Sequence, residues 1–247
     1  MKMSAAAQPI PNKPALFLSR KKILVVADLH IGIENELREL GVYVPSQTST
    51  ITQRLIHLIE KYNPKEIILL GDIKHNIPSS TIRERKDVEK FIDTIESYAT
   101  IHILPGNHDG NIGKLLTSSV TLHPSDGFVF EDMGFIHGHR WPSQKIMQCK
   151  QIIMGHTHPT IMLTDRLGYK MYEPCWIQGN FIVDKLKERY SNSKKPSVLI
   201  MPAFNPLCGG VAANKETLVG PVSKIIDVPN AQVYLLDGTA LGKVKDI

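Results

Sequence analysis

Ile23-Leu24-Val25-Val26-Ala27-Asp28-Leu29-His30 is an apolar, β-branched run that stops on an acid and a histidine. A short run of this kind reads as a strand buried on both faces. The same grammar recurs four times. Ile67–Leu70 leads into Gly71-Asp72-Ile73-Lys74-His75, and Ile101–Leu104 leads through Pro105 into Gly106-Asn107-His108-Asp109. Gly134–Ile136 leads into His137-Gly138-His139-Arg140, and Ile152–Met154 into Gly155-His156-Thr157-His158. Ligand-binding groups of open α/β sheets gather beyond the carboxyl ends of strands. Five polar clusters at that position are expected to converge.

Amphipathic segments separate the first three strands. Ile51, Leu55, Leu58, Ile59 and Tyr62 share one helical face, with Ser46 or Thr48 as candidate caps; Val88, Phe91, Ile92, Ile95 and Tyr98 or Ala99 share another. A shorter helix through Ile33, Leu37 and Leu40 would end at Gly41. Strand–helix–strand alternation implies parallel pairing with right-handed crossovers.

After Gly134 the pattern changes. Thr160–Thr164 and Tyr169–Tyr172 flank Asp165–Gly168 as a hairpin, Phe181–Tyr190 reads as a helix, and Val198–Met201 as a buried strand. Val222–Ile226 and Gln232–Leu236 read as strands, and Asp237-Gly238 as a turn before a last one. The expected fold class is α/β: a four-layer αββα sandwich of two mixed sheets flanked by helices. Residues 1–247 read as one domain, with residues 1–20 an irregular basic arm marked by Pro9, Pro11 and Pro14.

Composition sets the bounds. The chain has 247 residues, 42% of them hydrophobic, enough for a sizeable core. No apolar run approaches the roughly 18 residues of a membrane helix, and the first residues lack the apolar stretch of a secretory signal. The three cysteines, Cys149, Cys175 and Cys208, are too scattered for a disulfide framework or a zinc ribbon. The expected setting is cytoplasmic, with no membrane partner. The net charge of +5 is formally the work of Lys2, Lys13, Arg20, Lys21 and Lys22; without them the chain is balanced at 24 charges of each sign. Charge alone therefore gives little support for nucleic-acid binding.

Seven of the 10 histidines lie in the five clusters: His30, His75, His108, His137, His139, His156 and His158. Carboxylate, amide and imidazole donors without a thiolate suit borderline divalent metals such as Mn, Fe, Co, Ni or Zn better than Ca or Mg. Singly, the motifs have plain structural readings. Asp28 and Asp72 could cap helices, Gly106–Asp109 could be a turn, and His137 a satisfied core histidine. Arg83–Lys86 reads as a solvated helix start, Cys175 and Cys208 as buried packing residues, and Ala203–Gly210 as a structural loop.

The ordered set Asp-x-His, Gly-Asp, Gly-Asn-His-Asp, His-Gly, Gly-His-x-His resembles the calcineurin-like metallophosphoesterase superfamily. With Met201–Gly210, it is most similar to the archaeal SbcD-related phosphoesterases, akin to DNA-ligase-associated phosphoesterases. The resemblance implies two divalent ions, Mn2+ first among them. Asp28, His30, Asp72 and His158 would hold one ion; Asp72, Asn107, His137 and His156 would hold the other, with Asp72 shared. It implies a phosphoesterase that hydrolyses phosphodiester bonds by attack of a metal-bridging hydroxide. Its substrate would be a nucleic acid or nucleotide, with a link to DNA repair. His108 would protonate the leaving oxygen, and the adjacent Asp109, the second catalytic candidate, would tune or position it. His139 and Arg140 would be substrate contacts.

His75 stands where many members carry an Asp that orients the catalytic histidine, which leaves the orienter of His108 unassigned. Two other functions remain open at this point: a small-molecule phosphomonoesterase, and a scaffold with the fold but no catalysis. Neither the oligomeric state nor the substrate is legible in the sequence.

Overall fold

In a computed structural model, which describes residues 7–77 and 80–247, the first five strand signals build the middle of two sheets stacked face to face. The first sheet runs in the order β1 (Ala7–Pro9), β2 (Ala15–Leu18), β3 (Ile23–Val26), β4 (Glu66–Leu70), β5 (Thr100–Leu104) and β6 (Thr121–Leu122). β1, β2 and β3 pair antiparallel; β3 to β6 pair parallel. The parallel crossovers carry α1 (Ile33–Glu39), α2 (Thr48–Tyr62) and α3 (Ile82–Glu96).

In the second sheet β7 (Phe128–Phe130) and β8 (Met133–Ile136) form one edge, next to β9 (Gln151–Met154). β10 (Pro159–Thr164) and β11 (Lys170–Asn180) form a long hairpin, followed by α4 (Val183–Arg189), β12 (Ser197–Ile200) and β13 (Val211–Ala212). β14 (Gln232–Leu235) and β15 (Ala240–Lys243) complete it, β14 pairing with β11.

Period-two alternation sorts the side chains into three apolar layers. Leu24, Val26, Ile67 and Leu69 face α2 and α3, meeting Leu55, Leu58, Phe91 and Ile95. Ile23, Val25, Ile68 and Leu70 face the other sheet, where Phe135, Ile153, Trp176 and Leu199 meet them. Ile152, Met154, Ile177, Val198 and Ile200 face outward, under Leu186 of α4 and the segment from Leu218 to Ile226. These layers give the αββα sandwich. The strands β3, β4, β5, β8, β9 and β12 all end toward one mouth between the sheets.

Four sequence expectations need correction. Within residues 1–20, residues 7–20 are not an irregular arm: Ala7 pairs with Leu18 across β1 and β2, and both are buried. Pro9 sits at the end of the outermost strand, where a missing N–H costs no ladder bond. Val222–Ile225 is a 3-10 turn, not a strand. Pro221 preorganises its start, and the Ser223 hydroxyl donates to the Val219 carbonyl at 2.7 Å. β11 runs eight residues past Tyr172, through Pro174 and Gly179, two residues that normally interrupt strands. Finally, the Arg83–Lys86 run is not wholly solvated, because Glu84 is buried.

Candidate metal centre

The backbone first shows strain. Asp28, His30, Asp72, His156 and His158 have φ of 57°, 43°, 50°, 73° and 41°. L-residues with side chains rarely occupy this left-handed region, and such strain collects at functional sites. Local geometry supports it. Asp28 N–H donates to the Gly71 carbonyl at 3.1 Å and His30 N–H to the Asp72 carbonyl at 2.8 Å, zipping the loops after β3 and β4 together. The Asp28 carboxylate accepts from His156 N–H at 3.1 Å, which ties the second sheet to the first. Gly106 leaves room for Asp72, and Gly71 for the His137 ring; a Cβ at either would collide with its neighbour.

Two donor groups that hold carboxylates result, beside two without one: His30, His75 and His108, and His30, His158 and Cys208. Asp28, His30, Asp72 and His158 bring one ligand atom each within 4.8 Å of one another, and so do Asp72, His137 and His156. Asp72 is common to both. Its Oδ1 accepts the His108 N–H at 2.9 Å, while Oδ2 lies 3.2 Å from His137 Nε2 and 3.6 Å from His30 Nε2.

Ring orientation is fixed from behind. His137 Nδ1–H donates to the Leu70 carbonyl at 3.0 Å, and His158 Nδ1–H to the Gly209 carbonyl at 3.0 Å. Each Nε2 therefore turns its lone pair toward carboxylate: Asp72 for His137, and Asp28 Oδ1 at 3.4 Å for His158. His158 Nε2 also faces His30 Nε2 at 3.3 Å. His137 Nε2 is buried and has no hydrogen-bond partner among the described residues. Lone pairs aimed at anions in a buried space require a cation or a proton between them. Carbonyl-anchored histidines around a carboxylate are also how metal ligands are held. The residues present fit a pair of divalent ions.

The protonation pattern has the same cause. Burial works against the His137 imidazolium, but the charges of Asp72 and Asp28 outweigh it and hold the ring up at about 9. Burial drops His30 to about 3. Burial and then the His137 charge drop His156 to about 4. Burial would raise Asp72, yet His137 and His30 hold it well below the usual carboxylate range.

His108 lies half-buried beside these groups, its ring 4.8 Å from that of His30. Its Nδ1–H donates to the His75 carbonyl oxygen, which leaves Nε2 free. The orienter the sequence left unassigned is therefore a backbone atom. The His75 ring turns elsewhere: Nδ1 is 3.0 Å from His30 Nδ1, and Nε2 is paired with Glu36 Oε2. Asp109 does not belong to either donor group. Its carboxylate accepts N–H bonds from Ile73 (2.9 Å), Lys74 (3.2 Å) and Gly106 (2.8 Å), pinning the loop after β5 to the loop after β4.

Asn107 and Arg140 are exposed. His139 is half-buried, its ring 5.2 Å from that of His137, and its buried Nδ1 has no partner among the described residues.

Sequence reading missed Glu84 and Cys208. Glu84 Oε1 accepts from His75 N–H and Asn76 N–H, both at 2.8 Å, and so shapes the loop that orients His108. Thr81-x-x-Glu84 is a capping-box spacing, the signal that could have found it. Here Thr81 Oγ1 accepts the Glu84 N–H at 3.1 Å, but the carboxylate reaches outward to the site loop. Cys208 comes within ligand range of His30 and His158. Burial pushes its thiol far up, so it stays protonated. The Ala203–Gly210 loop is part of the site wall: Phe204 N–H donates to the Ala27 carbonyl at 2.8 Å, and Asn205 Nδ2 to the Leu29 carbonyl at 2.9 Å.

The family model for calcineurin-like phosphoesterases matches residues 21–207. The chain is a calcineurin-like phosphoesterase. Members of this family use divalent metals, and in this phosphoesterase the matched span contains every residue of the two donor groups. Among solved structures, the phosphoesterase is similar to the nuclease MPE of Pseudomonas putida. The match has 21% identity and a TM-score of 0.61, over 95% of this chain and 100% of that one. It also matches the phosphoesterase Yfce of E. coli at 14% identity and a TM-score of 0.39, over 90% of this chain and 97% of that one. The first likeness supports the fold of the phosphoesterase; the second carries no argument. No helix among its described residues is long and apolar enough to cross a membrane.

Proposed function

We propose that this phosphoesterase is a two-metal phosphodiesterase acting on nucleic-acid or nucleotide diesters, nearest in its motifs to the SbcD-related group. The observation that carries the reading is the sharing of Asp72 between two donor groups. One ion would be held by Asp28, His30, Asp72 and His158; the other by Asp72, Asn107, His137 and His156. The donor set, oxygen and imidazole with Cys208 kept protonated, suits borderline divalent ions such as Mn, Fe, Co, Ni or Zn, and the family resemblance puts Mn2+ first among them. When bound, such a pair supplies Lewis acidity and makes hydroxide available near neutral pH.

The chain's own residues do the rest. The Leu70 and Gly209 carbonyls hold His137 and His158 with Nε2 toward Asp72 and Asp28, where each would serve as a ligand to a bound ion. His75 and Glu36 brace His30 in the same way. His108, with Nδ1–H held by the His75 carbonyl, presents Nε2 to protonate the leaving oxygen. Asp109 is a positioning residue: it fixes the loop on which His108 rides. His139 and Arg140, two and three residues past His137, would meet the phosphate or leaving group.

The test is hydrolysis of a bis-aryl phosphodiester and an aryl phosphomonoester by protein stripped of metal and resupplied with Mn2+. The reading expects the diester to be preferred at least tenfold in kcat/KM. A monoester preference would overturn the diesterase assignment.

A further inference from the structure

The β10–β11 hairpin is longer than the sheet it leaves. Ile177 of β11 stands opposite Ile200 at the end of β12, so Lys170–Pro174 run past that end and pair only with β10. At about 3.4 Å per residue, Lys170 stands roughly 20 Å beyond Trp176. The direction is toward the metal centre, because β12 ends at that mouth and β10 starts at the residue after His158. The hairpin is therefore a wall rising beside the site. Its outer edge is clipped by Asn214, which donates to the Met162 carbonyl at 2.9 Å and accepts its N–H at 3.0 Å.

The two faces of the wall differ. Trp176 points between the sheets, so Pro174, Tyr172 and Lys170 share the side that faces the site mouth. Their cross-strand partners are Thr160, Met162 and Thr164. This face carries an aromatic ring, a cation, a thioether and the exposed Thr164 hydroxyl, and no carboxylate; the Thr160 hydroxyl is buried. Asp165 is spent on the turn, accepting from Leu167 N–H and Tyr169 N–H, and Glu173 is on the opposite face. Tyr172 is 56% exposed and Tyr169, nearer the tip, 67% exposed. Exposed aromatic rings cost solvation unless something covers them in use.

We propose that this face grips the substrate strand: Tyr172, about 13 Å along the hairpin from His158, stacks an unpaired base about two nucleotides from the scissile phosphate, and Lys170 pairs with a backbone phosphate further along the strand. The inference rests on the diesterase reading and names the occupant of that site as a single-stranded stretch of nucleic acid. An aromatic platform with a cation one pleat away matches base face and phosphate together. A base paired in a duplex cannot present its face to Tyr172.

The experiment is steady-state cleavage of a labelled single-stranded 12-mer in Mn2+ by the full chain. Tyr172→Ala should raise KM about 5- to 100-fold with kcat within about twofold, and Tyr172→Phe should restore the wild-type KM. Lys170→Ala should flatten the dependence of log KM on log salt by about 0.7, one phosphate's share on a single strand. A wild-type protein that cleaves the strand while Tyr172→Ala keeps the wild-type KM overturns the hairpin assignment alone. A wild-type protein that cleaves no strand overturns the nucleic-acid reading and this inference with it.

Discussion

Glu84 sits buried in the first turn of α3 with its carboxylate on the backbone N–H of His75, 2.8 Å away. Helix and site loop are thereby one unit, since the carbonyl of that same His75 accepts from the His108 ring. Glu84→Ala would leave the Asn76 N–H without its acceptor and the His75 N–H with only the Ile31 carbonyl at 3.0 Å. The expected cost is about 1–3 kcal/mol, from one unsatisfied donor, read by urea denaturation. The kcat should fall as well, because the His108 ring loses its fixed anchor. Wild-type stability in Glu84→Ala would show that the loop is held by other contacts.

Although His108 lies within ligand range of His30 and His75, His108→Ala removes no member of the two donor groups that hold carboxylates. It should keep the full metal content and lower kcat by about 10²–10⁴-fold on a diester with a poor leaving group, the usual scale for a lost general acid. The loss should shrink on an aryl diester, whose leaving oxygen needs no proton. Equal losses on both substrates would argue that His108 serves the phosphate rather than the leaving group.

Metal uptake should depend on pH through His137. Its ring is held up at about 9 in the metal-free protein, above the ordinary histidine value, so below that pH a proton occupies the lone pair an ion would need. Affinity for the second ion should rise by up to tenfold per pH unit between pH 7 and 9 and level off above it, with proton release on binding. Calorimetry in buffers of different ionisation enthalpy reads the protons directly. Binding that is flat over this range would place the proton elsewhere.

A second titration concerns stability, at the far end of the first sheet. His123 stacks on Phe128 at 3.7 Å, and its Nε2 meets His102 Nδ1 at 3.0 Å. Burial and then the His102 charge depress His123 to about 4 in the fold, against 6.5 for the free ring. The fold thus favours the neutral ring. Its contribution is complete above about pH 6.5 and is lost as pH falls toward 4. For a half-exposed ring, solvent screening leaves about 1–2 kcal/mol of this. His123→Phe should flatten the acid limb of the stability profile between pH 6.5 and 4. An unchanged limb would assign acid sensitivity to other groups.

The strands leading into the site were legible because each is a buried β-branched run that stops on a polar cluster. The convergence of those clusters follows from parallel pairing, which the helical spacers between β3, β4 and β5 imply. What stayed hidden has physical causes. β1 carries Pro9, and Pro11 and Pro14 lie between β1 and β2, so the stretch reads as broken, yet an edge strand tolerates a missing N–H. Val222 and Ile225 are spaced as one helical turn, too short for periodicity to separate from a strand. Asp109 looked catalytic through its neighbour His108, but its carboxylate is taken by three backbone amides that no sequence pattern announces. The orienter of His108 is a carbonyl, and every residue has one.

The most direct test of the shared-carboxylate centre is the number of Mn2+ ions bound per chain, counted by elemental analysis alongside diester turnover, in wild type and in Asp72→Ala. The account expects two ions and activity in the wild type, and at most one ion with nearly all turnover lost in the variant. Two ions and full turnover retained without Asp72 would contradict it.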